Sequence, residues 1–159
     1  MRFATPGDPA GSFLFDGRIA EDFKLATGAW VSVGPLRAAL VSALAPLAKD
    51  AAIAGHDRDD VTALSFPDFD ACRLLAGGDD LSDPKAPEAF RERLAAFSAR
   101  TTGSASRVER LLLLAEPPSL DAGEITDKGS LNQRAVLQRR AGAVAEFYDL
   151  ESEAAIRAR

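Results

Sequence analysis

The chain has a single cysteine, Cys72, and a single histidine, His56, among 159 residues. One cysteine excludes an internal disulfide and fits a reducing compartment, so a cytoplasmic protein is expected. One histidine leaves no Cys/His cluster with zinc spacing and no His-based catalytic triad within the chain. Long apolar runs are also missing. The longest apolar helical pattern, residues 35–48, is interrupted by Arg37, Ser42 and Pro46, and no charged-then-apolar signal pattern opens the chain. A membrane partner is therefore not expected. Positive charge is scarce too: Lys+Arg 19 against Asp+Glu 24 leaves a net charge of −5, which argues against nucleic acid as a partner. The cluster Arg134, Arg139 and Arg140 is too short to overturn that balance.

What remains is one ordinary globular domain, 47% hydrophobic, with tails. Residues 1–12 are rich in Gly, Pro and Asp and read as an irregular linker, residues 13–148 as the folded unit, and residues 149–159 as a charged tail that extends the last helix or frays. Short strands are expected at 13–15, 22–25 and 29–33, with Asp16-Gly17 and Thr27-Gly28 as turns. Trp30 and Ser32 alternate with Val31 and Val33, the pattern of a half-buried strand. Gly34-Pro35 opens a helix with Leu36, Leu40, Val41, Leu44 and Leu47 on one face. Residues 51–55 and 61–66 read as a hairpin around the charged turn 56–60. A short helix over 67–75 buries Phe69, Cys72 and Leu75, and residues 77–84 form a loop. A helix over 87–100 carries Phe90, Leu94 and Phe97 on one stripe; a Leu-rich strand over 108–115 and a helix from Asn132 to about Tyr148 complete the order. The fold class is α+β: a short mixed or antiparallel sheet with an N-terminal hairpin and flanking helices.

Between that last strand and last helix lies Gly123-Glu-Ile-Thr-Asp-Lys-Gly129. Glu116-Pro-Pro118 stops the strand, because proline cannot donate to a sheet ladder. Lys128 is thus presented on a glycine-flanked turn, where it suits a role in a site the chain does not itself contain. The loop is not a phosphate-cradling P-loop, because Asp127 occupies the place of the required glycine before the lysine.

Two segments together carry a resemblance. Phe15-Asp-Gly-Arg-Ile-Ala-Glu-Asp-Phe-Lys-Leu-Ala-Thr-Gly28 is similar to the Gly-Arg-x-x-Asp-x-x-Lys-x-x-Gly hinge motif of the adenylate-forming acyl-CoA ligases. Thr126-Asp-Lys-Gly-Ser-Leu-Asn-Gln-Arg134 resembles their late Thr-Gly-Lys motif. In wording, both look closest to feruloyl-CoA synthase-like members. The resemblance implies the mobile C-terminal subdomain of such a ligase, in which carboxylate and ATP give an acyl-adenylate that the CoA thiol then attacks. It implies that Lys128 contacts the acyl carboxylate and α-phosphate, that Arg18 stands beside the nucleotide ribose, and that Thr27-Gly28 approaches the pantetheine of CoA. Glu21 or Asp22 falls at the hinge.

It further implies ATP/AMP and CoA as ligands with Mg as the ATP counter-ion, in the full-length enzyme and not in this fragment alone. The implied partners are the N-terminal domain of the same enzyme and an aromatic or acyl carboxylate. The family's upstream motifs for ATP phosphates, adenine and ribose do not occur here, so the chain reads as a C-terminal piece, inactive alone. Three departures stand out: Arg18 to Gly28 is one residue longer than usual, Asp127 replaces a glycine, and Arg37 sits where a glutamate is common.

Plainer readings stand beside these. Lys128 is then a solvated turn residue, Arg18 a partner of Asp16, Glu21 and Asp22 hairpin surface charges, and Gly28 an ordinary turn glycine. Trp30 is a packing residue, His56 exposed and inert, Cys72 a small core residue. The three late arginines are a solvated helix face or a surface that meets a large domain. The whole chain is then a standalone non-catalytic binding or regulatory module with the same fold.

Overall fold

The computed structural model describes residues 22–76, 85–147 and 155–157. The expected linker 1–12, the strand 13–15, Arg18, Glu21 and the loop 77–84 lie outside these residues. The described chain opens with a small antiparallel hairpin, β1 Phe23–Lys24 and β2 Trp30–Val31. Helix α1, Val33–Leu44, follows directly. It ends before Pro46, since a residue preceding proline is pushed out of helical geometry. It buries Val33, Leu36, Leu40 and Leu44.

The main sheet has the order β3-β4-β5-β6. β3, Ala48–Ala54, and β4, Val61–Pro67, form the expected antiparallel hairpin. Two helices, α2 Phe69–Ala76 and α3 Lys85–Ala99, carry the chain to β5, Val108–Leu113, which pairs parallel to β4. α2 departs from expectation at its end. Cys72 is buried, but Phe69 is only half-buried and Leu75 is exposed. α3 places Phe90, Leu94 and Phe97 inside as expected.

The segment expected as one helix is two, α4 Gln133–Arg139 and α5 Ala141–Phe147. The tail supplies β6, Ala155–Arg157, antiparallel to β5, where a helical extension or fraying was expected. The pairing satisfies backbone groups that a frayed end would leave to water.

Helices cover both faces of the sheet, and the strands alternate between them. Ala51, Ile53, Ala63 and Leu111 face a large core with α1 and α3, while Ala52, Leu64, Phe66 and Leu112 face a smaller one with Leu131 and Val136. Every residue of β4 is buried, as a strand covered on both sides requires. The second, smaller core is the platform on which the lysine loop and α4 rest.

Candidate functional site

The loop after β5 leaves the sheet at Leu114 and returns at Leu131, both buried. Its tip is a tight turn. Gly129 N–H donates to Thr126 C=O at 2.9 Å, Thr126 N–H to Ser130 C=O at 2.8 Å, and Ile125 bridges Leu131. Ser130 N–H also donates to Thr126 Oγ1 at 3.2 Å. Gly129 takes φ +85°, a left-handed conformation that glycine adopts without Cβ strain. Lys128 stands on this turn, exposed, and makes no hydrogen bond or ion pair among the described residues.

The root of the loop is the opposite case. Glu124 is 0% exposed, yet charged. Arg140 donates from Nε to its Oε1 at 2.7 Å and from Nη2 to its Oε2 at 2.9 Å. Arg139 Nη1 and the Ser119 N–H add bonds to Oε2 at 3.1 and 2.8 Å. A buried carboxylate is tolerable only with such saturation of its lone pairs. The Arg140 hydrogen bond, foremost, holds the Glu124 carboxyl down to about 2, against the upward push of burial; the Ser119 N–H and the two guanidinium charges add to the lowering. Arg140 is in turn raised by Glu124. Its guanidinium also donates to the carbonyls of Glu116 and Pro117 and lies 5.1 Å from the Phe66 ring centre.

The three late arginines therefore do not form one solvated face. Arg134 is exposed and Arg139 partly so, but the Arg140 side chain is only 9% exposed and turned inward.

On the far side of the tip, Asn132 caps α4 by accepting from the Ala135 N–H at 3.2 Å. Its own N–H donates to Glu124 C=O at 2.7 Å, closing the base of the lysine hairpin. Gln133 is 2% exposed and locks onto β3: its Oε1 accepts from Ile53 N–H at 2.8 Å and its Nε2 donates to Ile53 C=O at 3.1 Å.

The N-terminal hairpin holds the other candidates. Asp22 Oδ1 accepts from Val33 N–H at 2.8 Å, so this side chain ties the chain's entry to the first turn of α1. In the β1–β2 turn, Gly28 N–H donates to Leu25 C=O and Ala29 N–H to Thr27 Oγ1 at 3.4 Å. Gly28 has φ +91°, and a Cβ built on it would meet nothing within 4 Å. Glycine is thus required there by backbone conformation, not by packing within this chain. The hairpin is anchored to the β3–β4 turn through Ala26 N–H to Arg58 C=O and Asp57 N–H to Lys24 C=O.

Asp22 and Phe23 share a cavity of about 380 Å³ with His56 and with Gln133, Arg134 and Leu137 of α4. The fold thus brings the middle of the first motif, Asp22-Phe23, beside the helix that ends the second, while neither Lys128 nor Gly28 lines that cavity. A second cavity of about 540 Å³ sets Ser130 and Leu131 opposite Arg37, Lys49 and Asp50, with Arg37 Nε 3.5 Å from Asp50 Oδ1. Trp30, expected to pack, is 53% exposed and borders a groove with Pro35 and Phe97. His56 is exposed, and Cys72 is buried with its thiol 3.7 Å from Leu47 C=O and pushed up by burial first and Asp68 second.

The residues that sequence reasoning missed are Glu124, Gln133 and the inward role of Arg140. The available signal was an acidic residue inside the loop and a polar pair, Asn132-Gln133, opening a helix.

No family model matches the chain, and no curated protein matches it significantly. Solved structures do. The adenylation domain of a carboxylate reductase from Mycobacterium chelonae is similar at TM-score 0.62 and 20% identity, over 83% of this chain and 20% of that one. The adenylation domain of a carboxylic acid reductase from Segniliparus rugosus, in complex with AMP and a co-purified carboxylic acid, gives 0.63 and 19% over 89% of this chain and 22% of that one. The A-PCP didomain of a carboxylic acid reductase from the same organism, with AMP, gives 0.65 and 20% over 87% and 19%. The chain spans about a fifth of the length of the structures it matches. The shared feature is the fold, an α+β arrangement that matches about a fifth of each of these adenylation-domain structures.

Proposed function

We propose that this chain is the mobile C-terminal part of an AMP-forming acyl- or aryl-CoA ligase, and that Lys128 is its adenylation lysine. The observation that carries the reading is the contrast within one loop: an exposed cation at the tip, unpaired among the described residues, above a buried, fully bonded root. That is the form of a charge delivered to a site on another domain. Support comes from the two motifs and from the fold shared with adenylation domains solved with AMP.

In the first half-reaction the substrate carboxylate oxygen attacks the α-phosphorus of ATP, and pyrophosphate leaves with the bonding pair. Lys128 would stabilise the negative charge shared between the attacking oxygen and the phosphoryl oxygens. In the second, the CoA thiol loses its proton, attacks the acyl carbon and expels AMP. Thr27-Gly28, on an open turn, would then line the pantetheine, and Asp22 with Glu21 would lie at the pivot, with Arg18 beside the ribose. The two turns, Thr27-Gly28 and the one that carries Lys128, are separate exposed surfaces, which suits a domain that presents one and then the other. Magnesium enters as the counter-ion of ATP; no three His, Cys, Asp or Glu side chains cluster to hold a metal among the described residues. The motif wording favours a hydroxycinnamate such as ferulate as the acid.

The test is Lys128→Ala in the ligase that contains this domain. Adenylate formation should fall by about 10²–10³-fold, while thioester formation from supplied acyl-adenylate persists; equal loss in both steps overturns the assignment. The isolated chain should form no adenylate.

A further inference from the structure

Lys128 sits on a turn, yet the turn is not free to move. Between Leu114 and Leu131 the loop carries a fully buried charge, Glu124, and the bonds that tie the loop to the rest of the fold at its root converge on it or on its partner. Arg140 grips the start of the loop through the carbonyls of Glu116 and Pro117, at 3.4 and 3.1 Å, and its middle through both Glu124 oxygens. The Glu124 backbone then takes the Ser119 C=O with its N–H at 2.9 Å and the Asn132 N–H with its C=O at 2.7 Å. One guanidinium thereby joins the strand exit, the near leg of the lysine hairpin and the break between α4 and α5. Beyond the Ile125–Leu131 bridge the hairpin is held by its own bonds between Thr126 and Ser130 and between Gly129 and Thr126.

We infer that Glu124 and Arg140 are positioning residues that set the height and orientation of the Lys128 hairpin, with Arg139 as an auxiliary. The inference rests on the reading of Lys128 as the adenylation lysine. Physically, a long flexible side chain that must reach a transferring phosphoryl group gains from a backbone that is already fixed, because the ordering cost is met in folding and not at the moment of reaction. Hydrogen bonds to charged partners in a dry setting are the strongest available for that purpose. Arg140 itself is the C-cap of α4, its N–H still bonded to Val136 C=O at 2.9 Å, so its side chain leaves the same face of the helix as the buried Gln133 and Val136.

The test uses endoproteinase Lys-C on the 159-residue chain, comparing cleavage after Lys128 with cleavage after Lys49. Cleavage within a tight hairpin requires local opening, so the ratio of the two rates reads the anchor and not overall stability. Glu124→Gln, which keeps shape but loses charge, should raise the ratio by about tenfold. Arg140→Lys, which keeps charge but loses the forked geometry, should raise it by less. If Glu124→Gln fails to fold, Arg140→Lys decides alone. An unchanged ratio, or equal acceleration at both sites in a folded variant, overturns the inference. In the ligase, Glu124→Gln should lower kcat for adenylation with KM for ATP and the thioester step unmoved; equal loss of both steps would mark a merely structural residue. Proteolysis needs no ATP, so failure of Lys128 as the adenylation lysine shows separately, in the Lys128→Ala assay.

Discussion

At the scale of single residues, the chain separates a charge that is displayed from charges that are consumed internally. Lys128 and its turn were legible in the sequence, because glycine after the lysine and proline before the loop are local signals that need no partner. The Glu124–Arg140 pair was not. Its members are 16 positions apart, each an ordinary charged residue, and only folding across the Leu131–Val136 core brings them together. Their coupling gives a pH prediction with a definite sign. The Glu124 carboxyl is depressed from 4.5 to about 2 in the folded state, so the stability it contributes is fully present above about pH 4.5 and is lost as pH falls toward 2. Thermal melts of the wild type and Glu124→Gln should therefore differ most near neutral pH and converge on acidification. A constant gap between the two curves from pH 6 to pH 2 would contradict the assignment.

At the scale of elements, the strands and helices with a clear apolar period came through: α1, α3, the β3–β4 hairpin and β5. The last helix did not: it is interrupted at Arg140, the C-cap of α4, and the one local sign is Gly142 two residues on. The β6 strand was equally invisible. A short charged tail carries almost no strand signal, and the pairing depends on the exposed edge of β5. Turn glycines illustrate how context decides cost. Gly55 has φ +144°, and a Cβ there would lie 2.8 Å from the Asp60 carbonyl oxygen, whereas Gly28 faces open space. Gly55→Ala should destabilise by about 2–3 kcal/mol and Gly28→Ala by about 1 kcal/mol, read from urea melts. If the two cost the same, the crowding at Gly55 is not real.

At the scale of the whole molecule, the α+β class followed from the order of short strands and helices, but the sheet order and the parallel β4–β5 pair did not. That pairing closes only after α2 and α3 have crossed the sheet, and no turn chemistry specifies it. The larger core holds Leu94 and Phe90, both wholly buried. Leu94→Ala should cost about 2–5 kcal/mol and lower the melting temperature of both faces together, by far-UV circular dichroism and by Lys-C cleavage at Lys49 alike. Independent melting of the lysine loop would mean that the two cores do not share one transition. The outer border of the sheet carries one more consequence. Among the described residues β3 is a terminal strand, and an open terminal strand is a template on which another molecule's strand can add. Here the Gln133 amide occupies the Ile53 N–H and C=O as a neighbouring peptide would, and the Asp50 carboxylate takes the Ala51 N–H at 2.8 Å. The same glutamine that seats the helix behind Lys128 thus doubles as a stopper against sheet-to-sheet oligomers, and Gln133→Ala should be recognised first by concentration-dependent aggregation in light scattering, ahead of any change in the fold.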